Sequence, residues 1–251
     1  MAAAVVAIGI IGALVGSFLN VVIHRLPLGE SVVRPRSRCP GCGTQLAARD
    51  NVPVVSWLVL RGRCRTCGTA ISPRYPAVEL LSGVLFAAVA LVLGLDSDLA
   101  WALPFAALLV CVGAIDLDHR IVPNKIVLPA AVYAVVIAVA LRLDELPELL
   151  IAGAGGFAVL LAIALARPGG MGMGDVKLVG VMGLYLGLSL LPALLLAFLL
   201  GSVVGVAVMV RGGAGERKSA VPFAPFLAAG GLIALLAGPE LVDAYADAFL
   251  R

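Results

Sequence analysis

Residues 147–177 read PELLIAGAGGFAVLLAIALARPGGMGMGDVK, and the architecture follows from this stretch. After Glu148 the chain runs without a charge from Leu149 to Ala166. A helix needs roughly 20 such residues to cross the hydrocarbon core of a bilayer. The run stops at Arg167 and a glycine-rich turn, and Asp175 then stands at the head of the next apolar segment. An ionisable residue so close to hydrocarbon is costly, which makes it a functional hypothesis by default. A second stretch has the same character: Ala114-Ile115-Asp116-Leu117-Asp118-His119-Arg120-Ile121-Val122-Pro123-Asn124.

Composition generalises the pattern. Of 251 residues, 62% are hydrophobic and 13% charged, with a mean hydropathy of +1.11. Soluble domains carry about 25% charged residues, so a soluble globular protein is excluded. The predicted fold is an all-α polytopic membrane protein. Its expected spans cover residues 3–23, 77–94, 99–115, 125–142, 147–166, 176–190, 191–210 and 221–238. The sixth and seventh are divided only by Gly187-Leu188-Ser189 and Pro192, so the count is eight, or seven if they merge. The first segment has no Lys or Arg before its apolar stretch and no small-residue cleavage site. It is expected to remain as an uncleaved helix with its N-terminus outside.

Charge then orients the chain. With the N-terminus outside, 16 of the 18 basic residues fall on the inner side, and only Arg142 and Arg251 fall outside. The outer loops are acidic, with Asp96, Asp98, Asp144, Glu145, Glu148, Glu240, Asp243 and Asp247. The positive-inside rule therefore predicts that both aspartate loops face the cytoplasm. Topology and anionic membrane lipid account for the basic face, and no nucleic-acid partner is expected.

The expected domains are a first transmembrane helix (1–23), a small cytoplasmic module (24–76) and a transmembrane domain (77–251). The module holds nine Arg against Glu30 and Asp50, and four of the five cysteines. These read Cys39-Pro-Gly-Cys42-Gly and Cys64-Arg-Thr-Cys67-Gly, two knuckles able to place four thiolates around a zinc ion. A cytoplasmic location disfavours disulfides, and four sulfurs close the coordination sphere, so a structural zinc is predicted. Redox cysteines and a degenerate, metal-free site are the alternatives. Cys111, inside an apolar span, reads as a core residue. No internal repeat stands out.

The aspartates suit a different chemistry. Two carboxyl groups sharing a water hydrolyse a peptide when one takes the proton of the water and its protonated partner donates to the carbonyl oxygen or leaving amine. Asp116 ends one span and Asp175 begins another, so helix packing must unite them. Gly172 and Gly174 allow a sharp turn and close approach of a substrate strand. Pro123 starts a new element and holds Val122 extended. Lys177 either lowers the pKa of Asp175 or reaches the headgroups. Asp118, His24 and His119 have a bland reading as solvated loop residues.

The chain resembles the type IV prepilin peptidases, membrane aspartyl proteases of the Gly-x-Gly-Asp type. The resemblance rests on Gly16-Ser17-Phe18-Leu19-Asn20 through Arg25-Leu26-Pro27, on the cysteine pairs, and on Ile71-Ser72-Pro73-Arg74-Tyr75-Pro76 with Glu79. It continues in Asp116-x-Asp118 with Pro123-Asn124, Gly172-x-Gly174-Asp175, and Pro222-Phe223-Ala224-Pro225-Phe226. It implies that Asp116 and Asp175 form the catalytic pair, with Asp118 ranked second. It implies a multi-pass protein of the bacterial inner membrane that cuts the basic leader of prepilins and pseudopilins at the cytoplasmic face. For members with the cysteine module it also implies N-methylation of the new terminus by S-adenosylmethionine. No residue is assigned to that donor on physical grounds; Asn20, Arg25 and Glu79 are weak candidates, with helix capping and snorkelling the plainer reading. An ion- or proton-coupled transporter using the boundary acids and a zinc-dependent scaffold without activity stay open as other classes. The span centres lack the polar residues that transport requires.

Overall fold

The computed structural model describes residues 1–167, 170–212 and 222–249. Among these the regular structure is helical, apart from two isolated bridges. The helices are α1 (Ala2–Arg25), α2 (Val55–Val59), α3 (Arg74–Leu93), α4 (Asp98–His119), α5 (Asn124–Leu141), α6 (Leu146–Ala166), α7 (Met173–Leu186), α8 (Leu190–Gly212) and α9 (Ala224–Phe249).

Among the described residues, seven segments are long and apolar enough to cross a membrane. One of them, Met173–Val210, has 38 residues, about 57 Å of helix at 1.5 Å per residue and nearly twice a bilayer core. The chain breaks it where the sequence suggested. Gly187 adopts φ +54°, a 3-10 turn covers Gly187–Ser189, and α7 and α8 lie on either side. The Glu148 carboxylate accepts the Leu188 N–H at 2.9 Å, satisfying an amide that the break exposes. Beyond residue 238 the expectation of an outer loop fails. α9 continues to Phe249, interrupted at Ala237 (φ −140°, ψ 19°) just before Pro239, whose missing N–H disrupts the helical ladder.

The chain forms two compact units, Met1–Leu99 and Ala100–Arg251. The sequence boundary at residue 77 marks where apolarity resumes; the packing boundary lies later, because α3 joins α1. An added Cβ at Gly12 would lie 2.6 Å from Phe86 Cβ, and one at Gly16 would lie 2.8 Å from Glu79 Cα. Small residues at a helix crossing allow this close approach, the main source of helix affinity within lipid.

The second unit is organised around α4. Its span is 61% buried, against 11–33% for the other spans of the chain, so it is the central helix. Phe105, Leu109, Val112 and Ile115 are fully enclosed, together with Val176, Leu178, Val179 and Met182 of α7 and Leu227 of α9. At one end Trp101 Nε1 donates to the Tyr185 carbonyl at 3.0 Å, and Phe105 stacks on Tyr185 with ring centroids 4.4 Å apart. That clamp sets α4 against α7 and so fixes which residues meet at the other end. α6 closes on α7 through Gly183, where an added Cβ would sit 2.6 Å from the Ala152 backbone.

Candidate active site and metal centre

The starts of α7 and α9 and the turn before α5 come together where α4 ends. Asp116 lies in the last turn of α4 and is only 5% exposed. Its Oδ2 accepts the Ala224 N–H at 3.1 Å. Ala224 opens α9, so this amide is one of the orphan donors of a helix N-terminus, aimed at a carboxylate. α9 comes close enough that an added Cβ at Gly113, one turn before Asp116, would touch Ala228 Cβ at 3.2 Å.

Asp175 enters from the first turn of α7 and is half-buried. Gly172 precedes that helix in extended conformation, and its carbonyl accepts the Asp175 N–H at 3.1 Å. A Cβ on Gly172 would sit 3.1 Å from Asp175 Oδ2. Gly174 meets the other loop directly: an added Cβ would lie 2.6 Å from Val122 Cβ. Lys177 Nζ donates to Asn124 Oδ1 at 3.0 Å, joining α7 to the start of α5. Asp116 and Asp175 are near enough for the charge of one to act on the other.

The expected site residues thus separate. Asp116, Asp175, Gly172, Gly174, Lys177 and Pro123 are gathered at one place; Pro123 is the extended residue from which α5 starts. Asp118 is exposed. Two positions along a helix turn a side chain by about 200°, so Asp116 and Asp118 cannot share one face. Lys177 bonds Asn124, an arrangement neither sequence alternative contained. Sequence reasoning also missed the Ala224 amide. Pro222-Phe223-Ala224-Pro225 signalled a helix start, and every helix start carries unpaired N–H groups, but nothing local names their acceptor.

The cysteines lie in the first unit. Their four Sγ atoms are within 4.8 Å of one another, and Cys39 and Cys67 are 3.6 Å apart. Tetrahedral thiolate coordination at about 2.3 Å separates sulfurs by about 3.8 Å, so the set fits a metal ion. The two knuckles are copies of one turn, a likeness that extends past the cysteines. Arg38-Cys39-x-x-Cys42-Gly43-Thr44-x-Leu46 matches Arg63-Cys64-x-x-Cys67-Gly68-Thr69-x-Ile71. In each, the first cysteine N–H donates to the threonine carbonyl (2.9 and 2.8 Å) and the glycine N–H to the first cysteine carbonyl (2.9 Å in both). Gly43 and Gly68 take φ +71° and +73°, which only glycine adopts without strain.

Hydrogen bonds tune the sulfurs. The hydroxyl of Thr44, 3.3 Å from Cys42 Sγ, holds that thiol below its ordinary range, and Thr69, 3.1 Å from Cys67 Sγ, does the same there. Cys64 is lowered by the Cys67 and Thr66 amides. Cys39 feels the Cys42 and Gly41 amides, yet desolvation and the neighbouring Cys64 and Cys67 leave it pushed up to about 11. Four sulfurs this close carry full charge together only around a cation.

The three weak candidates are held within the first unit. Asn20 Nδ2 donates to the Tyr75 carbonyl at 3.0 Å, and Glu79 Oε2 accepts the Val54 N–H at 2.7 Å. Arg25 Nη1 donates to the Ser31 and Pro35 carbonyls at 3.1 and 2.8 Å. Cys111 is buried, as expected.

Comparison with known proteins agrees with this division. Residues 10–93 match the model of the bacterial peptidase A24 N-terminal domain, and residues 103–210 match that of the type IV leader peptidase family. A prepilin leader peptidase/N-methyltransferase of Bacillus subtilis is 35% identical over 237 residues, covering 94% of this chain and 95% of its own. The chain belongs to the prepilin leader peptidase/N-methyltransferase family. A relative of the same name from Stutzerimonas stutzeri is 36% identical, covering 94% of this chain and 91% of its own. Another, from Myxococcus xanthus, is 43% identical over 83% of this chain, which spans 64% of that relative's length. No solved structure matches. The gap between the two matched regions brackets the division between the compact units.

Proposed function

We propose that this protein is a membrane aspartyl endopeptidase that removes the leader of prepilins and pseudopilins, with Asp116 and Asp175 as its catalytic pair. The observation that carries the proposal is that the two carboxyl groups lie within Coulombic range of one another, where the starts of α7 and α9 approach the end of α4. Two acids in mutual range resist simultaneous ionisation. One ionised and one protonated carboxyl group then divide the work: the first takes a proton from water, and the second donates to the carbonyl oxygen or departing amine. The charge bias of the loops supports a site at the cytoplasmic face of the inner membrane, with the N-terminus outside. A substrate with a cytoplasmic leader and an apolar helix in the membrane meets an active site at that depth.

The cysteine cluster holds zinc, with Cys39, Cys42, Cys64 and Cys67 as ligands. Zinc there would supply folding free energy to residues 24–76, a segment too small for a robust core. N-methylation of the new terminus, with S-adenosylmethionine as donor, is the second activity, supported by the relatives' name. Asn20, Arg25 and Glu79 stay weak candidates for the donor: Asn20 Nδ2, Arg25 Nη1 and Glu79 Oε2 each bond a backbone group, and each side chain keeps further polar atoms.

Asp116→Asn and Asp175→Asn should each abolish cleavage of a prepilin in membranes while the protein accumulates normally. Cleavage retained by either variant removes the catalytic pair.

A further inference from the structure

The cysteine-module end of α1 bears a cleft of about 420 Å³ that the proposed chemistry leaves unused. Leu14, Phe18, Val21 and Arg25 line one wall. Their spacing of four, three and four residues makes one stripe, opposite the Gly12 and Gly16 face that packs on α3. Val33 and Arg36 of the following loop line the other wall. Leu14, Phe18 and Val33 are 54%, 53% and 76% exposed, so large apolar side chains stand open beside two guanidinium groups. None of the lining residues is acidic.

Arg25 has a double role. Its bonds to the Ser31 and Pro35 carbonyls pin the loop that forms the outer wall, and both use one terminal nitrogen. A guanidinium has five N–H donors, so others remain for a ligand. From Leu14 to Arg25 the stripe extends about 16 Å along the helix axis. It therefore begins within an apolar span and finishes where that span ends in cationic residues. An occupant must be apolar at one end and negative at the other.

We propose that this cleft seats one anionic phospholipid, its headgroup phosphate against Arg25 and Arg36 and an acyl chain along Leu14, Phe18 and Val21. Two arginines without a neighbouring acid oppose a basic leader peptide, and they equally oppose a sulfonium cation. The site needs only that α1 spans the membrane, so it stands independently of the peptidase assignment.

The full chain, reconstituted in nanodiscs of phosphatidylglycerol and phosphatidylcholine, is re-extracted into mild detergent, and its retained lipid is counted by native mass spectrometry. One phosphatidylglycerol per chain is expected, in preference to phosphatidylcholine. Arg36 is exposed, so Arg36→Gln should leave the fold intact and lower retention about five-fold, the worth of one arginine at an anionic surface. Arg38→Gln, equally exposed but outside the cleft, should leave retention unchanged. Equal losses in the two variants would mean diffuse attraction and overturn the site. So would equal retention of both lipids, or saturable binding of S-adenosylmethionine in equilibrium dialysis that Arg36→Gln abolishes.

Discussion

Gly174→Ala tests the proposed active site with a single methyl group. The new Cβ would lie 2.6 Å from Val122 Cβ, 3.2 Å from Val122 Cγ2 and 3.4 Å from Val122 N. Carbon atoms rest about 3.5–4.0 Å apart, so the two loops must separate by roughly 1 Å. No rotamer change relieves the contact, because a Cβ moves only with its backbone. Val122 is also held extended by Pro123, which limits how that backbone can yield. Asp175 is the next residue, so the displacement is delivered to the carboxyl group that must share a water with Asp116. Misplacement of about 1 Å can cost 10²-fold in rate. Overpacking costs about 1–3 kcal/mol of stability, which leaves the protein folded. Prepilin cleavage, measured in membranes at matched enzyme level, should therefore fall about a hundredfold. Val122→Gly removes the opposing Cβ and should restore much of the rate to Gly174→Ala; Val122→Ala keeps that atom and should not. Gly174→Ala cleaving within threefold of the parent, or rescue by Val122→Ala equal to that by Val122→Gly, would refute the account.

Metal analysis of the purified protein should find one zinc per chain, lost in Cys39→Ser or Cys64→Ser. Thr44→Val and Thr69→Val should each weaken zinc about 10–100-fold in chelator competition, as loss of a ligand-orienting hydroxyl does. Glu79→Ala strands the N–H of Val54, a residue itself at φ +61°, and should destabilise residues 24–76 by about 1–3 kcal/mol, read as faster proteolysis there. Glu79→Gln keeps an acceptor and should stay close to the parent. Gly187→Ala forces a side chain into φ +54° and against the Glu148 carboxylate. About 1–3 kcal/mol is expected to be lost, seen as a lower thermal midpoint in detergent; an unchanged midpoint would show that the α7–α8 break does not need glycine.

Much of the site was legible residue by residue, though not its assembly. Asp175 announced itself through Gly172 and Gly174, whose purpose the packing on Val122 explains. The paired cysteine knuckles were equally plain, but the extent of their likeness, reaching Thr44 and Thr69, lies in paired backbone bonds more than in the cysteines. Lys177 was read by its charge, whereas its partner Asn124 is neutral and 53 positions away. The tail beyond residue 238 reads as a loop because acids and Pro239 break its apolarity, but helix resumes beyond the kink at Ala237.

Sequence alone determined where helices cross hydrocarbon and where four thiols gather. Both depend on short-range rules: a lipid-exposed backbone must satisfy its own hydrogen bonds, and a knuckle is a local turn. Only the tertiary structure decided which aspartate of the Asp116–Asp118 pair is enclosed and what holds it. The amide that orients Asp116 comes from Ala224, 108 positions later. That choice belongs to helix packing, where small residues and a buried aromatic clamp set registers that no single segment encodes.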